Sequence, residues 1–159
     1  PIRRRTFGIL RGDAVRRDGP GTMPQPWEQQ LDAAVERLEP RLREIRRHLH
    51  QHPEPSGEEY QTTAYLRQAL ESDSVRAHSL PSGRGLIAEA AERDTPGPWF
   101  ALRGDIDALR IQDLKDVVYR SRREGVMHAC GHDGHATVTL GAILALEELR
   151  RAGDLPWEL

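Results

Sequence analysis

This 159-residue sequence predicts an α/β layered fold. Three observations carry that prediction. An apolar stripe at helical spacing runs from Leu31 to Leu49, short strand-like segments separated by proline and glycine turn signals fill the middle, and a second long apolar helical pattern occupies the last part. The length suits one domain with a real core.

The stripe begins after Trp27. Leu31, Val35, Leu38, Leu42, Ile45 and Leu49 alternate four and three apart, which lays them along one face of a helix. Pro40 interrupts the pattern and is expected to kink or split it, and Pro53 and Pro55 end it. Ser56-Gly57-Glu58-Glu59 reads as a capping box for a second helix carrying Tyr60, Ala64 and Leu70. Ser74 to Leu80 and Gly85 to Ala90 read as strands around the turn signal Pro81-Ser82-Gly83. Thr95-Pro96-Gly97-Pro98 is a further break. Trp99 to Arg103 then reads as a mostly buried strand running into Gly104-Asp105-Ile106-Asp107. A final helix starts near Asp133 or His135 and ends about Ala152, with Gly153 as its stop. Val138, Leu140, Ile143, Leu144, Leu146 and Leu149 give that helix a wide apolar face.

The domain division is residues 1–22 as a disordered basic tail and 23–159 as the folded part. The tail holds Arg3, Arg4, Arg5, Arg11, Arg16 and Arg17 with little apolar periodicity; Asp13 and Asp18 interrupt its charge, which weakens the competing reading of a polyanion-binding or targeting arm. Over the whole sequence 25 acidic residues face 23 basic ones, a net charge of -2, so nothing asks for nucleic acid or an anionic membrane. The longest apolar run, Leu140 to Leu146, is far short of the roughly 20 residues that span a bilayer, and the N-terminus has no apolar stretch of the signal-peptide kind. The single cysteine cannot form an internal disulfide, which points to a reducing compartment or to indifference to redox; the expected location is cytoplasmic.

That cysteine lies in Met127-His128-Ala129-Cys130-Gly131-His132-Asp133-Gly134-His135-Ala136. A thiolate and a neutral imidazole are both good ligands for divalent transition metals. Cys130 and His132 flank a glycine that lets the backbone bend both donors onto one ion. An isolated Cys-x-His is more often a structural cysteine beside a solvated histidine; crowding among other polar ligands before a helix N-terminus reverses that judgement. Asp105 and Asp107 sit where a predicted strand ends, the edge at which open α/β sheets bind ligands. There one aspartate could ligate a metal and the other orient a histidine, or both could cap turns. His48 and His52 are one helical turn apart, but Leu49 stands where a zinc-protease helix motif needs glutamate, so helix-terminal imidazoles on the dipole are the simpler reading. Cys130 as a nucleophile would need a neighbouring base and an oxyanion hole, and ranks below metal binding.

Three segments together resemble the M20 metallopeptidase family, in its amidohydrolase branch of hippurate, N-acyl-amino-acid and auxin-conjugate hydrolases. They are Arg46 to Glu59 (RRHLHQHPEPSGEE), Ala101 to Leu109 (ALRGDIDAL) and Gly125 to His135 (GVMHACGHDGH), in order from about Leu38 onward. Arg110 stands where the family usually has proline, and residues 1–22 have no counterpart. The resemblance implies a partial three-layer α/β/α zinc-peptidase-like catalytic domain that lacks the later strands and the inserted dimerisation domain. It implies that Cys130 and His132 are metal ligands, the thiolate bridging two divalent ions (Mn or Zn, with Ni or Co as further candidates). Asp107 matches the catalytic aspartate beside the metals, Asp105 is a weaker match for a supporting role, and His135 belongs behind the ligands. The implied reaction is hydrolysis of the amide bond of N-acyl amino acids or short peptide-like substrates, and the implied complete enzyme is a homodimer. The family's glutamate base and glutamate ligand come from a Pro-Ala-Glu-Glu segment after the next strand. This sequence contains none, and Glu147-Glu148 falls within the final helix. The expectation is therefore an N-terminal piece with little or no activity alone; the alternative is a non-enzymatic metal-binding or interaction module.

Overall fold

The computed structural model describes residues 24–90 and 100–156. The expected basic tail and the Thr95-Pro98 break lie outside the described residues. Five elements follow in order: α1 (Pro26–Gln51), α2 (Tyr60–Glu71), β1 (Arg76–Ser79), β2 (Leu86–Glu89) and α3 (His132–Ala152). The fold is mixed α/β, as the sequence predicts.

α1 starts with Pro26 at its first position and a capping box in which Gln25 N donates to Glu28 Oε2 at 2.7 Å. It runs through Pro40 without a break, so the expected split does not occur. An internal proline costs a helix about 3 kcal/mol. Here tertiary packing on both sides of it carries that cost: Ala34 is buried with Ala145 and Leu149 of α3, and Ile45 and Leu49 are buried with Ala136, Leu140 and Leu144. The two helices therefore run antiparallel, and at their crossing Gly141 lets Leu42 come close, since a Cβ there would lie 2.8 Å from Leu42 Cδ1. The predicted stripe holds except at Val35, which is 46% exposed while Ala34 is buried.

α2 begins at Tyr60, too late for Ser56 to cap it, so the expected capping box is absent. Its orphan N–H groups are met from further away. Gln61 N and Thr62 N donate to the Glu54 carboxylate at 3.2 and 2.7 Å. Thr62, Thr63, Leu66 and Leu70 form its buried face, whereas Tyr60 is half exposed. β1 and β2 pair antiparallel with Ala77 opposite Ala88. The segment from Phe100 to Asp107 is not a strand, contrary to expectation. Phe100 is 87% and Leu102 67% exposed. Among the described residues no strand lies alongside to complete its backbone hydrogen bonds, and an extended run without a neighbour is not a strand. It still packs closely on α3, because a Cβ at Gly104 would meet Thr139 Oγ1 at 2.7 Å and the His135 carbonyl oxygen at 3.0 Å.

Candidate metal centre

Backbone pairing gathers three segments at the N-terminal end of α3. Ala108 N donates to the Glu54 carbonyl at 2.8 Å, which ties the end of the 100–107 run to the chain leaving α1. Leu109 and Met127 exchange two backbone hydrogen bonds, at 2.9 and 3.0 Å, and this draws the histidine-rich loop alongside Asp107. Gly131 then turns the chain into α3 with φ 85°, in the left-handed region that favours glycine. His135 N and Gly134 N both return to the Gly131 carbonyl, closing the first turn.

This turn places the two predicted donors on either side of Gly131. Cys130 is exposed and free. No hydrogen bond joins its thiol to a base among the described residues, which removes support from the nucleophile reading. His132 is largely covered, and its Nδ1–H donates to Asp107 Oδ1 at 2.9 Å, with the Asp107 carbonyl at 3.1 Å. That partner fixes the ring and the tautomer and leaves the Nε2 lone pair for a cation. An accessible thiol two residues before an imidazole oriented by a carboxylate supplies donor types that suit one side of a divalent-metal site. The fit is partial: among the described residues no group of three or more His, Cys, Asp and Glu is arranged to hold an ion, and zinc sites use three or four protein ligands.

Beneath the loop lies a buried polar network that residue spacing does not reveal. Asp133, in the first turn of α3, and His50, in the last turn of α1, are 1% and 2% exposed. His50 Nδ1–H donates to Asp133 Oδ2 at 2.9 Å, and Arg46 Nε lies 3.2 Å from the same oxygen. On the other edge of the ring, Lys115 Nζ–H donates to His50 Nε2 at 3.2 Å, and Asp113 Oδ2 is 3.4 Å away. Asp113 in turn accepts from the backbone N–H groups of Lys115 and Ser121 at 3.1 and 2.9 Å. Burial opposes its ionisation, but those hydrogen bonds and the Lys115 charge hold its carboxyl below the usual range. His128 is also buried, and neither ring nitrogen has a hydrogen-bond partner among the described residues. Burial lowers its pKa, with the neighbouring His50 and His132 adding to the effect against Asp133.

Other candidates are placed elsewhere. Asp105 accepts from Arg103 at 2.8 Å rather than supporting His132. The His135 ring lies 5.4 Å from that of His132 and is exposed. His48 stacks on Tyr65 at 3.8 Å and sits 4.4 Å from His52, whose Nδ1–H donates to the His48 carbonyl, a helix-terminal role. Glu147 is bound by Arg150 and Arg151, and Glu148 pairs with Arg37. Fifteen residues along α3 from His132, Glu147 lies roughly 22 Å away at helical rise.

Residues 101–157 match the model of peptidase family M20/M25/M40. The chain is 44% identical to N-acetyl-L-cysteine deacetylase of Bacillus subtilis over 111 residues, 70% of this chain and 26% of that protein. It is 44% identical to YhaA, a candidate amidohydrolase of the same organism, over 129 residues, 81% of this chain and 31% of that protein. Among solved structures it resembles the B. subtilis YxeP protein, a dinuclear metal-binding M20 peptidase, with TM-score 0.66 and 39% identity over 75% of this chain and 32% of that one. A candidate aminohydrolase of methicillin-resistant Staphylococcus aureus gives TM-score 0.70 and 36% identity over 76% and 31%. The chain thus spans about a third of the length of the relatives it matches. Residues 101–157 thus match the model of peptidase family M20/M25/M40, and the chain resembles a solved M20 peptidase over 75% of its length.

Proposed function

We infer that this chain supplies the thiolate and imidazole side of a divalent-metal centre in an amidohydrolase that cleaves the amide bond of N-acyl amino acids or short peptide-like substrates. One observation carries the reading: His132 and Cys130 flank the left-handed Gly131, and Asp107 holds the His132 ring by Nδ1. Bound there, a divalent ion supplies Lewis acidity to the amide carbonyl and acidifies a water. Asp107 holds the ligand ring in place, and the buried network under α3 keeps the loop rigid. The relative that deacetylates N-acetyl-L-cysteine favours a small N-acyl amino acid as substrate. The ions are two, manganese or zinc, with nickel and cobalt accepted, and the complete enzyme is a cytoplasmic homodimer.

Glu147 and Glu148 are committed to arginines at the far end of α3, and Asp107 and Asp133 are engaged by histidines, so none of these four is placed as the base for the water. These 159 residues therefore bind metal with little or no turnover. Cobalt(II) titration tests the binding. Thiolate coordination gives an absorption band that Cys130→Ser abolishes; a band indifferent to that change would refute the reading. Assay of N-acyl amino acids with manganese, zinc or chelator tests the rest. A chain extended to its relatives' length should turn over and lose activity to chelator, whereas metal binding without turnover in that longer form would favour a non-enzymatic module.

A further inference from the structure

The first turn of α3 is tied to its surroundings by two carboxylate–imidazole hydrogen bonds. Asp107 reaches in from the 100–109 run and accepts from His132. Asp133 reaches out of the same turn in the other direction and accepts from His50, 83 residues earlier in sequence. His132 and Asp133 are adjacent, so a change in either contact rotates the same turn. We propose that His50 is a positioning residue for the metal loop, acting through its Nδ1–H···Asp133 hydrogen bond and not through its Nε2 edge. The proposal rests on the metal reading of Cys130 and His132.

Three features support it. The bond is dry, since both residues are at most 2% exposed, so water cannot replace the donor if it is removed. Among the described residues Asp133 then keeps Arg46 as its one side-chain partner, at 3.2 Å and from a half-exposed side chain. Finally, Gly131 enters the turn at φ 85°, and nothing lies within 4 Å of where its Cβ would be, so no side-chain packing fixes the loop at that point. The loop that presents Cys130 and His132 is anchored by the Leu109–Met127 pair on one side and by the turn that follows on the other. The Nε2 edge of the ring has a different audience: Lys115 and Asp113, which organise residues 113–121.

The two edges can be separated chemically. In His50→Asn the amide nitrogen takes the place of Nδ1 and the Nε2 edge is lost; in His50→Gln the amide oxygen reaches the place of Nε2, where it can accept from Lys115, and the Nδ1 donor is lost. Cobalt(II) affinity and the thiolate absorption band are read on the 159-residue chain for wild type, His50→Asn, His50→Gln and Lys115→Met, with Cys130→Ser as reference and circular dichroism giving the folded fraction of each. We expect His50→Gln to weaken cobalt binding about 10- to 100-fold and to shift the band, the range seen when groups supporting metal ligands are removed. His50→Asn and Lys115→Met should stay within about threefold of wild type, in keeping with an intact supporting bond. Equal weakening by Asn and Gln at equal folded fraction would reduce His50 to a general structural role, and no weakening by Gln would remove it from the loop; both overturn the proposal. Absence of any band sensitive to Cys130→Ser is a different failure, that of the metal reading itself.

Discussion

The two ends of the α1–α3 pair are built from different interactions. At one end Ala34, Ala145 and Leu149 pack with Leu31 and Leu38, and contact depends on volume and apolarity. At the other, the buried His50, Asp133 and Asp113 meet in a polar network, with the exposed Lys115 at its edge, where each buried bond needs a particular atom at a particular place. Apolar packing tolerates substitution of similar volume. A buried polar network does not, because a lost partner leaves a desolvated group unpaired. The stable end fixes the helices relative to each other, and the exacting end uses that fixed frame to hold a loop.

Substitutions at the two ends should separate stability from metal affinity. Leu149→Ala opens the apolar end between the helices and should cost about 2–5 kcal/mol in denaturant unfolding, while cobalt affinity per folded molecule stays unchanged. A large affinity loss would blur the distinction. Gly131→Ala should do the reverse. The left-handed φ of 85° costs a non-glycine residue about 1–2 kcal/mol, and the strain falls on the loop that carries the donors, so cobalt affinity should fall along with the small stability loss. Preserved affinity would show that the loop geometry is not set there.

Glu147 sharpens the apolar end. Burial opposes its ionisation, but hydrogen bonds from Arg150 and Arg151 at 2.7 and 2.8 Å outweigh it and hold the carboxyl below its usual range. A depressed folded-state pKa adds stability that is present above the unfolded value of about 4.3 and is lost as pH falls through the folded value. Glu147→Gln should therefore cost about 1–2 kcal/mol at pH 7, since the arginines keep partial solvation. The gap to wild type should close as the pH falls below about 4. A constant gap would mean that the contribution is packing. The smallest effect is expected at Arg37, whose ion pair with Glu148 is exposed on both sides; Arg37→Ala should change stability by less than about 1 kcal/mol.

What the sequence made legible follows the range of the interactions. α1 and α3 show as 3.6-residue stripes, and Gly153 stops α3 where expected, because these signals are local. Cys130 and His132 stand out as candidate donors for the same reason, since they lie two residues apart. The Asp107–His132 contact spans 25 residues, and resemblance placed Asp107 near the metals without revealing the bond. Spacing pointed to His48 and His52 as a pair and left His50 unused, because His50's partners lie 65 and 83 residues away. The cap of α2 was misread for a related reason: Glu54 reaches it from seven and eight residues back, whereas a capping-box reading looks only three residues ahead. The 100–107 run has strand composition, but a strand is completed by its neighbours, and composition cannot supply them.

Zinc K-edge absorption of the chain loaded with one equivalent of zinc tests the central claim most directly. If Cys130 and His132 grip one ion, the spectrum contains a sulfur at about 2.3 Å and an imidazole nitrogen at about 2.0 Å, and Cys130→Ser removes the sulfur shell. A spectrum of nitrogen and oxygen neighbours alone, the same in wild type and Cys130→Ser, would contradict it.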